Sequence, residues 1–181
     1  HGTFSHSQRL TLPLTQTRVL DKSSAKAEEF GGSKDRMIPQ TAATPVADYL
    51  DGLGGQISAG LVLALRGEEL RVVGRRGQFG NVDLDSLKDQ PLLLDVLDSG
   101  APWIGEKSGE LDRLRKQMGR DLDSGLSILW PLIHGEKHFG VVYLEPRQVD
   151  VDAALLGHLS LHAGRLIQRL HARLVGLQPR E

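Results

Sequence analysis

The chain has 181 residues, room for one core of about 120–150 residues with tails. Its net charge of −1 offers no global attraction for nucleic acid or membrane, and no apolar run approaches the ~20 residues that a membrane-spanning helix needs. There is no cysteine, which excludes disulfides, thiolate catalysis, Cys-ligated metal and iron–sulfur clusters and fits a reducing, cytoplasmic location. The first residues are polar and form no signal peptide. The chain opens on His1 rather than Met, so a piece of a longer or processed protein is expected.

Residues 1–44 are rich in Ser, Thr, Gln, Lys and Gly, with few aliphatics after Leu20, and the segment 23–45 holds neither helical nor strand periodicity. They read as a flexible linker or the remnant of a preceding domain. Val46, Tyr49, Leu50 and Leu53 then recur at helical spacing, and Gly54-Gly55 stops them, which predicts a short helix. Residues 57–65 and 70–76 are apolar-rich runs around the turn Arg66-Gly67-Glu68-Glu69, a first hairpin. Residues 77–83 read as a loop carrying Phe79. Leu84, Leu87, Leu92, Val96 and Leu97 keep a rough helical period that Pro91 restricts, so a firm helix is expected over 91–98, ended by Gly100.

Residues 101–105 form a short apolar stretch and read as a strand. Leu111, Leu114 and Met118 share one face of the charged segment 110–120, a short amphipathic helix. Residues 127–133 and 139–144 are two apolar runs around the polar connector His134-Gly135-Glu136-Lys137-His138, a second hairpin. Neither run alternates, which predicts strands covered on both faces. Residues 149–177 are the longest periodic stretch. Asp150 or Asp152 is placed to cap it, Leu156, Leu159, Ala163, Leu166, Leu170, Leu174 and Leu177 recur at threes and fours, and Pro179 ends it. Its first half is expected on the sheet and its second half on a partner.

Little of the sequence points to catalysis. No phosphate-binding glycine motif is present, and Ser127 and Ser160 sit in no nucleophile elbow, so no enzyme is expected. Asp83, Asp85, Asp121 and Asp123 read as loop and cap carboxylates. His158 and His162 have the spacing of helical metal ligands but lack the glutamate of H-E-x-x-H and a third ligand. They are read as solvated or partner-facing, and no metal site is assigned. Arg165, Arg169 and Arg173 form a stripe read as solvated or flanking a dimer. Without aromatic platforms or a recognition helix, direct nucleic-acid binding is not expected.

Leu129-Trp130-Pro131-Leu132-Ile133, the turn His134-Gly135 and the run Phe139-Gly140-Val141-Val142-Tyr143-Leu144-Glu145 together resemble the closing hairpin of GAF domains. A capped helix follows it, as in that family, and Pro102-Trp103-Ile104 is similar to the family's short middle strand. The resemblance spans about residues 46–174. It implies an α+β, GAF-like (PAS-related) domain over 45–177, with a central antiparallel sheet of five or six strands. The N- and C-terminal helices would lie on one face, and residues 79–124 would supply helix and loop cover on the other.

The resemblance further implies a non-catalytic regulatory domain of a bacterial signal-transduction or transcription-regulatory protein. Such a domain senses a small-molecule effector and relays it through the helix 150–177 to an output domain. A ligand-free dimerisation scaffold is the alternative. A pocket is expected to draw on Phe79, Trp103, Ile104, Met118, Leu126, Ile128, Trp130 and Tyr143. Homodimerisation is expected through Leu156, Leu159, Ala163, Leu166, Leu170, Leu174 and Leu177. Lacking cysteine, the chain can neither attach a bilin by a thioether nor run the cysteine-based methionine-sulfoxide reduction of some GAF proteins. The Asn-Lys-Phe-Asp-Glu pattern of cyclic-nucleotide-binding members is missing, and the cofactor stays unknown.

Overall fold

The computed structural model describes residues 8–9 and 40–176, with side chains from 44 to 175. In chain order the elements are β1 (Gln8–Arg9), α1 (Gln40–Gly52), β2 (Ile57–Arg66), β3 (Glu69–Arg76), a 3-10 turn (Leu87–Asp89), α2 (Pro91–Ser99), β4 (Trp103–Gly105), α3 (Gly109–Met118), β5 (Ser127–His134), β6 (Lys137–Pro146) and α4 (Ala153–Gly176). Among the described residues they build one antiparallel sheet in the order β1-β4-β5-β6-β2-β3. Gln8–Arg9, within the stretch read as a linker, adds a two-residue edge beside β4.

Both hairpins close more tightly than the sequence predicts. Arg66 pairs with Glu69 and His134 with Lys137, leaving two-residue loops that each begin with a glycine, Gly67 at φ 67° and Gly135 at φ 62°. Positive φ at that position matches the twist of the flanking strands. The helix ends follow local chemistry as well. Pro91 opens α2 and Gly100, in the left-handed region, closes it. The Ser108 hydroxyl accepts from Leu111 N–H at 3.0 Å to cap α3. Of the two aspartates expected to cap α4, Asp152 does so, its carboxylate accepting from Leu155 N–H at 2.9 Å.

Successive side chains of a strand point to opposite faces, and here both faces are buried. One face carries Ile57, Val62, Ile128, Trp130, Val142 and Leu144 beneath Tyr49, Leu50 and Leu53 of α1 and Leu155, Leu159 and Leu166 of α4. The other carries Leu61, Leu63, Leu129, Val141 and Tyr143 beneath α2 and the Leu111, Leu114 and Met118 stripe of α3. Double cover is the physical reason the central hairpin is apolar without alternation. The loop after β3 completes the second cover. Gly80 and Asp83 N–H donate to Met118 and Gln117 carbonyls at 3.2 and 2.7 Å, satisfying the end of α3. The two backbones touch there: a Cβ on Gly119 would stand 2.4 Å from Gly80 Cα.

The stripe expected to pair with a partner does not face outward. Leu159, Ala163 and Leu166 are 1, 1 and 0% exposed inside the domain's own core, and Leu156 and Leu170 are partly buried against it. The reason is that the same three–four period serves a sheet-facing stripe, and the sheet and α1 claim it. Leu174 is 44% exposed, and Leu177 lies outside the described residues. The outward side of α4 is instead Ala154, Gly157, Leu161, Gln168, Ala172 and Val175. Arg169, read as part of a solvated stripe, binds Asp48 of α1 at 2.9 Å. No helix among the described residues is long and apolar enough to cross a membrane.

Candidate functional site

A polar network lies within the otherwise apolar core under the second cover. Its centre is Arg115, which α3 points inward from the same side as Leu111 and Met118; the residue is 0% exposed. A guanidinium has five N–H donors. All five are taken: Nε by Tyr143 Oη at 3.3 Å, one Nη by the Glu106 and Leu122 carbonyls at 3.2 and 3.0 Å, the other by the Gly125 carbonyl and Ser127 Oγ. Ser127 Oγ lies 2.9 Å from Tyr143 Oη, and Tyr143 donates to Glu145 Oε2. Glu145, 2% exposed, is gripped on both oxygens by Arg120 Nε and Nη2. Arg120 also donates to the Gln78 carbonyl and lies 5.2 Å from the Phe79 ring centre, which holds the cover loop down. Phe79 meets Tyr143 edge-on at 6.3 Å.

The network sets the protonation of its members. Burial, then the neighbouring Glu145 carboxylate, pushes the Tyr143 phenol up to about 12. It stays protonated at neutral pH and is a hydrogen-bond donor, not a base. The hydrogen bond to Glu145 pushes the Arg120 guanidinium higher still. Arg115 and Arg120 bring two cations to one carboxylate; carbonyl and hydroxyl dipoles balance the rest. The arrangement is saturated: Arg115 has no N–H left for a ligand.

The eight expected pocket residues do not meet in one place. Phe79, Trp103, Met118 and Tyr143 belong to the cover side, whereas Ile104, Leu126, Ile128 and Trp130 belong to the side of α1 and α4. Trp130 and Tyr143, expected near the same pocket, face opposite ways, because Trp130 pairs with Val142 and Leu129 with Tyr143. Trp103 and Trp130 are 3 and 1% exposed, each packed in its own core. On the helix side, Tyr49 Oη and Trp130 Nε1 are buried without a hydrogen-bond partner.

The histidines also differ from expectation. His158 and His162 are half-buried rather than solvated, with ring centres 4.2 Å apart and His162 against Gly52 of α1. His134 stacks on His171 of α4 at 3.9 Å. Sequence reasoning missed Arg115, Arg120, Ser127 and Glu145. Two signals were available: Arg115 interrupts the apolar stripe between Leu111 and Met118, and Tyr143 and Glu145 are polar residues two apart on one face of a buried strand.

Neither a family model nor a curated protein matches the sequence. Solved structures do match the fold. The GAF domain/HD domain protein from Geobacter sulfurreducens is similar with a TM-score of 0.62 at 14% identity, over 77% of this chain and 97% of that one. The GAF domain of a two-component sensor histidine kinase from Bacillus halodurans gives 0.53 at 18% identity, over 69 and 92%. The reduced form of fRMsr of Staphylococcus aureus gives 0.51 at 15% identity, over 80 and 90%. At such identities the likeness fixes the architecture: the chain has the GAF fold, an α+β fold used by sensor and regulatory proteins and also by fRMsr.

Proposed function

We propose that this chain is a non-catalytic regulatory module of a bacterial, cytoplasmic signal-transduction or transcription-regulatory protein. It acts as a rigid body that holds α4, pairs with a second copy along the outward side of that helix, and passes the arrangement of the two helices to an output domain. The outward side of α4 carries this reading. Ala154, Gly157, Leu161, Gln168, Ala172 and Val175 are exposed and uncharged, and the one charged residue within their arc is the partly buried Arg165. A surface helix normally turns charged residues to water. Here Leu161 and Val175 are 42 and 50% exposed, flanked by small residues that let a second helix approach. The likeness to GAF domains of a sensor kinase and an HD-domain protein supports a regulatory setting.

The saturated network favours a scaffold that relays over one that binds an effector in its core. A small-molecule effector is the second reading. It is favoured by Phe79, which is only partly buried, and by Arg120, whose side chain is 16% exposed: the polar network comes nearest to solvent at that latch. Native mass spectrometry separates the readings. The expected result is a dimer without adduct, converted to a folded monomer by Leu161→Lys, with the midpoint losing its dependence on protein concentration. A wild-type monomer overturns the pairing, and a stoichiometric small-molecule adduct replaces the scaffold reading with the effector reading.

A further inference from the structure

His158 and His162 have no part in the network or in the outward side of α4. They stand four residues apart on the side of α4 that meets α1, and their ring planes are tilted by 52° with centres 4.2 Å apart. His158 Nε2 and His162 Nδ1 are both buried, and neither has a hydrogen-bond partner. Buried ring nitrogens ordinarily find an acceptor, a donor or an ion. α1 leaves room for the His162 ring: a Cβ on Gly52 would stand 3.1 Å from His162 Cε1 and 3.2 Å from His162 Nδ1. Burial holds both imidazoles below the ordinary histidine range, His162 at about 4, where His158 and Arg165 add to the effect. A neutral imidazole offers one ring lone pair to an ion. The nearby carboxylates are committed elsewhere, Asp48 to Arg169 and Asp51 to Arg76, each at 2.9 Å.

We propose that His158 and His162 form a two-histidine site for a divalent first-row transition ion of the imidazole-preferring kind, zinc or nickel, at the seam between α1 and α4. Histidines at this helical spacing put two ring nitrogens on one face, the geometry that chelates such ions. Imidazole suits zinc and nickel, whereas magnesium and calcium require oxygen donors. Among the described residues no group of three or more His, Cys, Asp or Glu side chains gathers around an ion position. Water or a small anion therefore completes the coordination, with Arg165 favouring the anion. An ion there ties two turns of α4 together beside the end of α1, so it stabilises the folded seam by mass action.

The 181-residue chain is titrated with zinc chloride, nickel chloride and magnesium chloride at neutral pH, by calorimetry below the unfolding range and by thermal unfolding. Zinc and nickel are expected to bind and to raise the midpoint saturably; magnesium is expected to do neither. His158→Ala and His162→Ala each weaken binding by about tenfold or more. His134→Ala and His171→Ala leave it unchanged, because those rings stack face to face on different elements, with planes 12° apart. Calorimetry keeps the test valid where a variant is less stable. Absence of binding by the wild type, or binding unchanged in both His158→Ala and His162→Ala, overturns the site.

Discussion

The two faces of the sheet each bury one of the chain's two tyrosines and one of its two tryptophans, yet they hold them differently. Under the cover, Tyr143 is a node in a network that reaches Arg115, Ser127, Glu145 and Arg120. Under α1 and α4, Tyr49 Oη and Trp130 Nε1 are buried with no hydrogen-bond partner. Directional hydrogen bonds fix the cover against the sheet, because every displacement breaks several at once. Under the terminal helices the burial is mostly apolar and non-directional, with directional ties only at its margin, Arg169 to Asp48 and Arg76 to Asp51. The face expected to transmit a signal is therefore the one less tightly specified, and the face expected to open for a ligand is the one most fully locked.

The sharpest way to break this comparison is Arg115→Met, which leaves the Glu106, Leu122 and Gly125 carbonyls and the Ser127 hydroxyl without this donor. The expected loss is about 3–5 kcal/mol in urea unfolding; a loss below about 1 kcal/mol would show that the network is replaceable by apolar packing. Next comes the stripe of α4. Leu166→Ala should cost about 2–5 kcal/mol as a core truncation, whereas Leu161→Ala, on the outward side, should change the monomer's stability by under about 0.5 kcal/mol. Comparable losses at both positions would contradict the orientation of the helix.

The two tyrosines give the most direct test. Tyr143→Phe should cost about 1–3 kcal/mol because Glu145, Ser127 and Arg115 lose a shared partner. Tyr49→Phe removes a hydroxyl that is bonded to nothing and should be neutral or slightly stabilising. Equal costs would mean that Tyr49 has a partner, such as an ordered water. The smallest effect is optical. Burial raises both phenols, Tyr143 to about 12 and Tyr49 further. The folded state holds its phenolic protons above the ordinary value of 10.0, so it binds more protons than the unfolded state there, and stability falls as pH rises through the window from 10 to about 12. With no other tyrosine in the chain, phenolate absorbance should stay flat past pH 10 and rise only with unfolding, seen as coincident absorbance and circular-dichroism transitions.

Much of the fold is legible in the residues. Gly67 and Gly135 mark hairpin turns, Pro91 and Gly100 bound α2, and the unalternating runs at 127–133 and 139–144 require cover on both faces. The candidate site is legible only in part. Eight apolar and aromatic residues can be picked out as buried, but a strand sends neighbours to opposite faces, and only the pairing of Trp130 with Val142 and of Leu129 with Tyr143 shows which go where. Likewise the leucine period of α4 predicts a buried stripe without saying whether a sheet or a second helix buries it.

By itself, then, the sequence determined the local elements, their order and the doubly covered sheet, because turns, caps and hydrophobic periodicity act over a few residues. Tertiary structure alone decided that Arg115, Ser127, Tyr143, Glu145 and Arg120 meet, and that Leu159 and Leu166 face inward while Leu161 faces out. Those outcomes depend on strand register and on how helices separated by most of the chain pack together, and no local pattern encodes either.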